Sequence, residues 1–318
     1  MLGLDPAGAP VVEGLSPALA EMLDELATPT GVGPLVARAV ERGADAGAAD
    51  ALLRELVHAG AVVDAALADR AERHRAGSAV VVSGRGPLAV GIVTGLVHAG
   101  VGAVHTDTGG TVRSVDLGTG LVDADRGSER LAATRAAVRR LVPTAATDRP
   151  PRGAPDLVVL ADTVPEPVRL ADLFATGTAH LAVRLRDGIG VIGPLVLPGR
   201  STCLRCLEVH RGARDPAWPA VAAALAGRSG RADPACTAAT AALATAQALA
   251  ALDGTARGGA EPAALDATLE LDVRAGTLLR REWEPSPSCG CGADTAHGGA
   301  RHRPVTSAEH RRGDTIKV

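Results

Sequence analysis

Residues 79–107 read AVVVSGRGPLAVGIVTGLVHAGVGAVHTD. A β-branched apolar run, Ala79 to Val82, leads into a glycine-rich turn, and an apolar stretch of helical length follows as far as Gly100. A second apolar run, Gly102 to Thr106, ends in Asp107. Strand, turn, helix and strand make a βαβ unit, which sets two parallel strands side by side in an open α/β sheet. Within the turn, Gly84, Gly86 and Ala89 form the pattern G-x-G-x-x-A. The first glycine permits a tight turn, the second lets backbone approach a phosphate, and the small third residue lets helix pack on strand. The helix start adds unpaired N–H donors for an anion. Asp107 lies 21 positions after Gly86, where a carboxylate would hold a ribose hydroxyl. These residues point to a nucleotide-binding α/β domain, or to a domain of that shape that has lost its ligand.

Outward from this unit, DLVVLAD at residues 156–162 predicts a third strand, Leu157 to Leu160. Asp162 falls just past its C-terminal end, where ligands sit in such sheets. Further strands are expected at Ala179–Leu185 and Gly190–Val196, and helices at Glu129–Val142 and Cys236–Leu252, the latter stopped by Gly254. No G-x-x-x-x-G-K-[ST] pattern occurs, and the single lysine is Lys317, which disfavours P-loop chemistry. Upstream, the polar stretch Asp69–Gly77 marks a boundary. Before it, Leu19, Met22, Leu23 and Leu26 are helically spaced, Leu35–Val40 and Ala49–Val57 suggest two more helices, and His58–Ala66 a turn into a short strand. That outline fits a small winged-helix-like module or a helical appendage. The expected division is a module over 1–75, an α/β domain over 76–292, and a flexible tail over 293–318 that is rich in His and Arg and poor in apolar residues.

A chain of 318 residues suits two such domains. With 46% hydrophobic and 22% charged residues it is not a disordered chain, although only 1% is aromatic, so its core must be aliphatic. A net charge of −3 gives no reason to expect nucleic acid or an anionic membrane as partner. The N-terminus lacks a basic segment followed by a long apolar run, and a cytoplasmic protein is the expectation.

Cys203 and Cys206 form C-x-x-C in STCLRCLEVH, and Cys289 and Cys291 form C-x-C in PSPSCGCG. Four thiolates close a tetrahedral zinc shell with no open position, so a structural zinc is expected; a redox pair or unrelated buried thiols are the other readings. Cys236 is left over at a helix start. It is either a buried packing residue or a reactive thiol whose pKa the helix dipole lowers.

Taken together, GRGPLAVGIVTGLVHAGVGAVHTDTG, DLVVLAD, RSTCLRCLEVH, PACTAATAALATAQALAAL and SCGC resemble a ThiF/E1-type protein over residues 76–292. The resemblance implies a Rossmann-like domain that binds ATP-Mg and adenylates a carboxyl terminus, usually of a ubiquitin-like or sulfur-carrier partner, often as a homodimer. It implies that Gly84, Gly86 and Ala89 face phosphate, that Asp107 holds the ribose and that Asp162 is the Mg-associated acid. Arg130 stands where the family carries a catalytic lysine, and Cys236 where some sulfur-transfer members carry a reactive cysteine. The chain departs from the pattern at Gly109, where a second acid is usual, and at Asp116 and Thr119, where Asn and Arg of N-L-x-R are usual. Absent or altered charges of this kind are costly to chemistry that consists mostly of positioning and charge stabilisation.

LGLDPAGAPVVEGLSPALAEMLDELATPT and ALLRELVHAGAVVDA are similar to the peptide-recognition module of the cyclodehydratase partner proteins of azole-forming ribosomal peptide clusters. In that family an E1-like scaffold has lost adenylation, the winged helix grips a precursor's leader peptide by strand addition, and a YcaO-type enzyme performs the ATP-dependent cyclisation. Ala61–Val63 would be the receiving edge. The expected function is therefore a leader-peptide-binding protein with a degenerate adenylation site. An active adenylyltransferase is the second expectation, and the glycine turn alone also admits a nicotinamide or flavin oxidoreductase.

Overall fold

A computed structural model describes residues 11–145, 153–254, 261–293 and 315–317. The chain divides into two compact units, residues 1–70 with 302–318, and residues 71–301.

The first unit begins with β1 (Val11–Glu13), followed by helices α1 (Pro17–Glu25), α2 (Val32–Glu41) and α3 (Ala46–His58). The helices fall where the apolar spacing placed them. Ser16 Oγ accepts the Leu19 N–H at 3.3 Å and Asp45 accepts that of Ala48 at 2.9 Å, so two helices start on side-chain caps. Leu19, Met22, Leu35, Leu52 and Leu56 are buried together, and Glu25 binds both Arg38, at 2.7 Å from Nε, and Arg42. The strand expected at Ala61–Val63 does not form. Gly60 ends α3 at φ 71°, and Asp64 then accepts N–H bonds from Ala66 and Leu67 at 2.8 and 3.3 Å, so the chain enters the next helix, α4 (Ala65–Gly77), instead. Extended pairing in this unit comes from elsewhere: β1 lies parallel to Thr315–Lys317, with Val11 opposite Thr315.

The second unit is built on a sheet of seven strands, β2 (Ala79–Ser83), β3 (Ala103–Thr106), β4 (Leu157–Ala161), β5 (His180–Arg186), β6 (Ile189–Val196), β7 (Ala267–Asp272) and β8 (Thr277–Glu282), in the order β3-β2-β4-β5-β6-β7-β8. The first four in that order are parallel and the rest antiparallel. The five strands read from the sequence are all present, within a residue or two. β7 and β8 were not read from it, because β8 is exposed along its whole length and has no apolar face to announce it.

Helices α5 (Pro87–His98), α6 (Arg130–Leu141), α7 (Pro167–Ala175), α8 (Leu204–Arg214), α9 (Trp218–Leu225) and α10 (Pro234–Asp253) complete the unit. α5 is apolar all round because it is covered all round, by the sheet on one side and α10 on the other. A Cβ on Gly91 would lie 2.8 Å from Ala241 Cβ, and one on Gly95 2.8 Å from Thr245 Oγ1, so both glycines permit the close crossing. α10 is long and apolar enough to cross a membrane by length and composition. Its Thr240, Ala241, Ala244 and Ala248 are nonetheless buried against the domain core, which accounts for that composition. Arg75 Nε donates to Asp253 at 2.6 Å and fastens the end of α4 to the end of α10.

Replacing Gly95 with Ala should force α5 away from Thr245 and lower stability by about 1–3 kcal/mol, seen as a drop in Tm. Pairing it with Thr245→Ala should recover much of the loss, since the two changes share one contact.

Candidate functional site

The parallel strands deliver three of the sequence-predicted residues to one end of the sheet. Gly86 is the N-cap of α5, directly after β2, Asp107 follows β3 and Asp162 follows β4. Asp162 takes φ 72°, a left-handed conformation that Asp tolerates better than most side chains, and its carboxylate lies over the glycine turn. There Oδ2 accepts the N–H groups of Gly86 at 2.8 Å and Ala89 at 3.2 Å, and Oδ1 accepts that of Leu88 at 2.9 Å. These are the orphan donors of a helix start, the groups that cradle a phosphate in turns of this shape. A Cβ on Gly84 would come within 2.7 Å of Asp162 Oδ2, and one on Gly86 within 2.6 Å of Oδ1. The glycines make room for this carboxylate. Burial pushes the Asp162 carboxyl above its ordinary range, while the three N–H donors favour its charged form.

Asp107 is exposed and accepts a hydrogen bond from Ser83 Oγ at 2.8 Å. Beside the turn lies a cleft of about 590 Å³ that includes Arg85, Arg113, Arg130, Thr163 and Ser229. Arg85 sits inside the G-R-G of the turn, a signal in the sequence that glycine spacing alone passes over. Nucleotide phosphate does not fit this arrangement as it stands, because the donors that would receive it already hold a carboxylate.

Arg130 points into a different role from that of a free catalytic cation. Its guanidinium is paired with Asp116 at 2.7 Å, with side chains 5% and 1% exposed. It also donates to the carbonyls of Thr111, at 2.9 Å, and Gly109. Asp116 accepts the Arg113 N–H at 2.8 Å. The two departures from the family pattern at these positions are thus one matched pair, an acid and the cation that makes its burial affordable, and together they clamp the loop between β3 and α6.

Cys236 lies toward this end of the sheet as well, since its sulfur sits by Leu271, which pairs with Gly190 at the start of β6, but it is over β6 and β7 and not in the cleft beside the glycine turn. It is 1% exposed in the first turn of α10, with its sulfur 3.9 Å from Thr240 Oγ1 and 4.0 Å from the Leu271 carbonyl. The other four cysteines converge: their sulfurs all lie within 4.8 Å of one another. Cys203 is 3.7 Å from Cys206 and 3.5 Å from Cys289, and Cys206 is 3.6 Å from Cys291. A tetrahedral ion with metal–sulfur bonds of about 2.3 Å has sulfurs about 3.8 Å apart, so the set fits a metal such as zinc. The Ser286 N–H points at Cys206 Sγ from 3.4 Å, as donors do around metal-bound thiolates. The four sulfurs join the start of α8 to the segment after β8.

Two outcomes follow. Arg130→Met, which keeps the bulk and removes the charge, leaves Asp116 buried without its cation and should cost about 3–5 kcal/mol; adding Asp116→Asn should return most of it in chemical denaturation. Elemental analysis should find about one zinc per chain, and Cys203→Ser should lower Tm together with metal content, since a four-thiolate site contributes folding free energy.

No family model and no curated protein matches the sequence. Solved structures do match the fold. Escherichia coli MccB superposes with a TM-score of 0.65 at 13% identity, over 92% of this chain and 93% of its own. E. coli MccB with AMPCPP and MccA gives 0.67 at 13% identity, over 87% and 91%. The microcin C7 biosynthetic enzyme MccB in complex with N-formylated MccA gives 0.64 at 13%, over 86% and 90%. The resemblance read from the sequence is upheld at the level of fold, which is that of MccB, a microcin C7 biosynthetic enzyme.

Proposed function

We propose that this chain is a ThiF/E1-type scaffold of ribosomal peptide modification, which binds a precursor peptide by its leader and presents it to a separate, YcaO-type enzyme without adenylating it. The observation that carries this reading is the Asp162 carboxylate seated on the Gly86, Leu88 and Ala89 donors. An anion site satisfied from within has no vacancy for a triphosphate. The Asp116–Arg130 pair supports it further, because the cation at the lysine position is consumed in holding a loop.

The peptide partner is supported by the fold of MccB, solved with MccA, and by the likeness of the N-terminal segment to leader-recognition modules. In this proposal the first unit, with β1 and its short ladder, receives the leader by strand addition. Zinc staples the segment around Cys289 and Cys291 to α8, Cys236 packs the core, and the protein works in the cytoplasm as a homodimer.

An active adenylyltransferase is the second reading. Arg85 and Arg113 line a cleft beside the glycine turn, and Asp107 stands exposed at the ribose position, which favours retained ATP-Mg binding once Asp162 turns away to hold the metal.

The test is to titrate full-length protein with the precursor peptide of its own gene neighbourhood, and to assay ATP–pyrophosphate exchange with the same peptide. The scaffold reading expects peptide binding at micromolar or better affinity, lost when the leader is removed, with no exchange above background. Exchange that depends on the peptide's carboxyl terminus would establish the enzyme instead.

A further inference from the structure

On the face of the sheet away from α5 and α10, a groove of about 1020 Å³ runs over β5 and β6 between α7, α8 and α9. Its size is at the upper end for pockets that take drug-sized ligands. The walls are apolar: Leu170, Phe174, Leu207, Trp218, Ala222 and Leu225. In a chain with one Phe and two Trp, the Phe and one Trp stand on this groove. It stays open at the rim, where Phe174 is 38% and Leu225 37% exposed, and α9 buries none of its residues.

Arg184 stands on the floor, half-buried among these walls. The charged groups around it are Arg186, Arg211, Glu208 and Glu270. Both carboxylates are taken. Glu208 accepts from Arg211 at 2.9 Å and from Trp218 Nε1 at 2.5 Å, while Glu270 accepts from Arg186 at 3.0 Å and Arg281 at 3.2 Å. Among the described residues the Arg184 guanidinium makes no hydrogen bond and no ion pair. Burial, then repulsion from Arg211 and Arg186, pushes its pKa down to about 10. A cation that is partly desolvated and unpaired by protein is a ready partner for a carboxylate entering the groove.

We propose that this groove binds an apolar peptide segment bearing a carboxylate, with the carboxylate on Arg184 and apolar side chains along Phe174, Trp218 and Leu225. The proposal rests on the peptide-scaffold reading and adds a second contact for the peptide, on the second unit, with a stated preference for an acidic residue among apolar ones. The open rim suits an extended chain. The mixed lining also explains why two aromatic residues of so few are placed here.

Fluorescence anisotropy on the full-length chain tests it, with a labelled Leu/Ala peptide carrying one central Glu and the same peptide with Gln. The expected result is a preference for Glu of at least about tenfold, abolished in Arg184→Met with weak binding of both peptides retained. Ala222→Trp, which fills the groove, should remove binding of both. Equal affinity for the two peptides, or an undiminished preference in Arg184→Met, would overturn the proposal. So would sedimentation showing that Arg184→Glu splits a dimer while no peptide binds, since a second copy would then own the groove. Precursor binding that survives unchanged in Arg184→Met would sink this inference alone; binding of the Glu peptide with no binding of the precursor would sink the scaffold reading and leave the groove standing.

Discussion

The seat of the Asp162 carboxylate on the first turn of α5 is the contact around which the second unit is arranged. It joins the end of β4 to the turn after β2, satisfies three backbone donors that burial would otherwise leave unpaired, and sets two acceptor oxygens at the positive end of a helix. Gly84 and Gly86 are tied to it, because a side chain on either would displace the carboxylate. So is the left-handed backbone of Asp162, which turns the side chain over the sheet. A conformation of that kind costs of order 1 kcal/mol and persists where the surroundings over-determine it. An incoming phosphate would have to evict a ligand that is already covalently present, and therefore at very high effective concentration.

Much of this was legible in the sequence. The 79–107 unit carries its own punctuation, since glycines bound the turn and the helix and both strands are β-branched. Asp162 was recognisable as a strand-end acid by its place after DLVVLA. What it touches was not, because a carboxylate facing a phosphate site and one filling that site leave the same letters behind. The same holds for Arg130. Its position suggested a weakened catalytic cation, whereas the pairing with Asp116 depends on a loop closing across fourteen residues that carry no periodic pattern. The four cysteines were legible because two thiols two or three positions apart already imply convergence, and only the distant pair had to be matched.

The parts that were not legible depend on contacts remote in sequence. Val62 and Val63 have strand character, but Gly60 and Asp64 on either side make a helix stop and a helix start, and these local signals win over β propensity. The strand that does form, β1, finds its partner at Thr315–Lys317, almost a full chain length away. Arg184 is alone because Glu208 and Glu270 are both engaged, by residues on α8, α9, β5 and β8. No reading along the chain can tell a satisfied arginine from an unsatisfied one.

Whether Asp162 closes the anion site against nucleotide is tested by calorimetric titration of ATP-Mg into zinc-loaded wild type and Asp162→Ala, through the sign of the difference. With the site closed, wild type gives no heat of binding at millimolar ATP and binding becomes measurable once the carboxylate is removed, with circular dichroism showing the variant folded. Micromolar binding by wild type that disappears in Asp162→Ala would contradict closure, and would mean that Asp162 serves the nucleotide's metal rather than occupying the nucleotide's place.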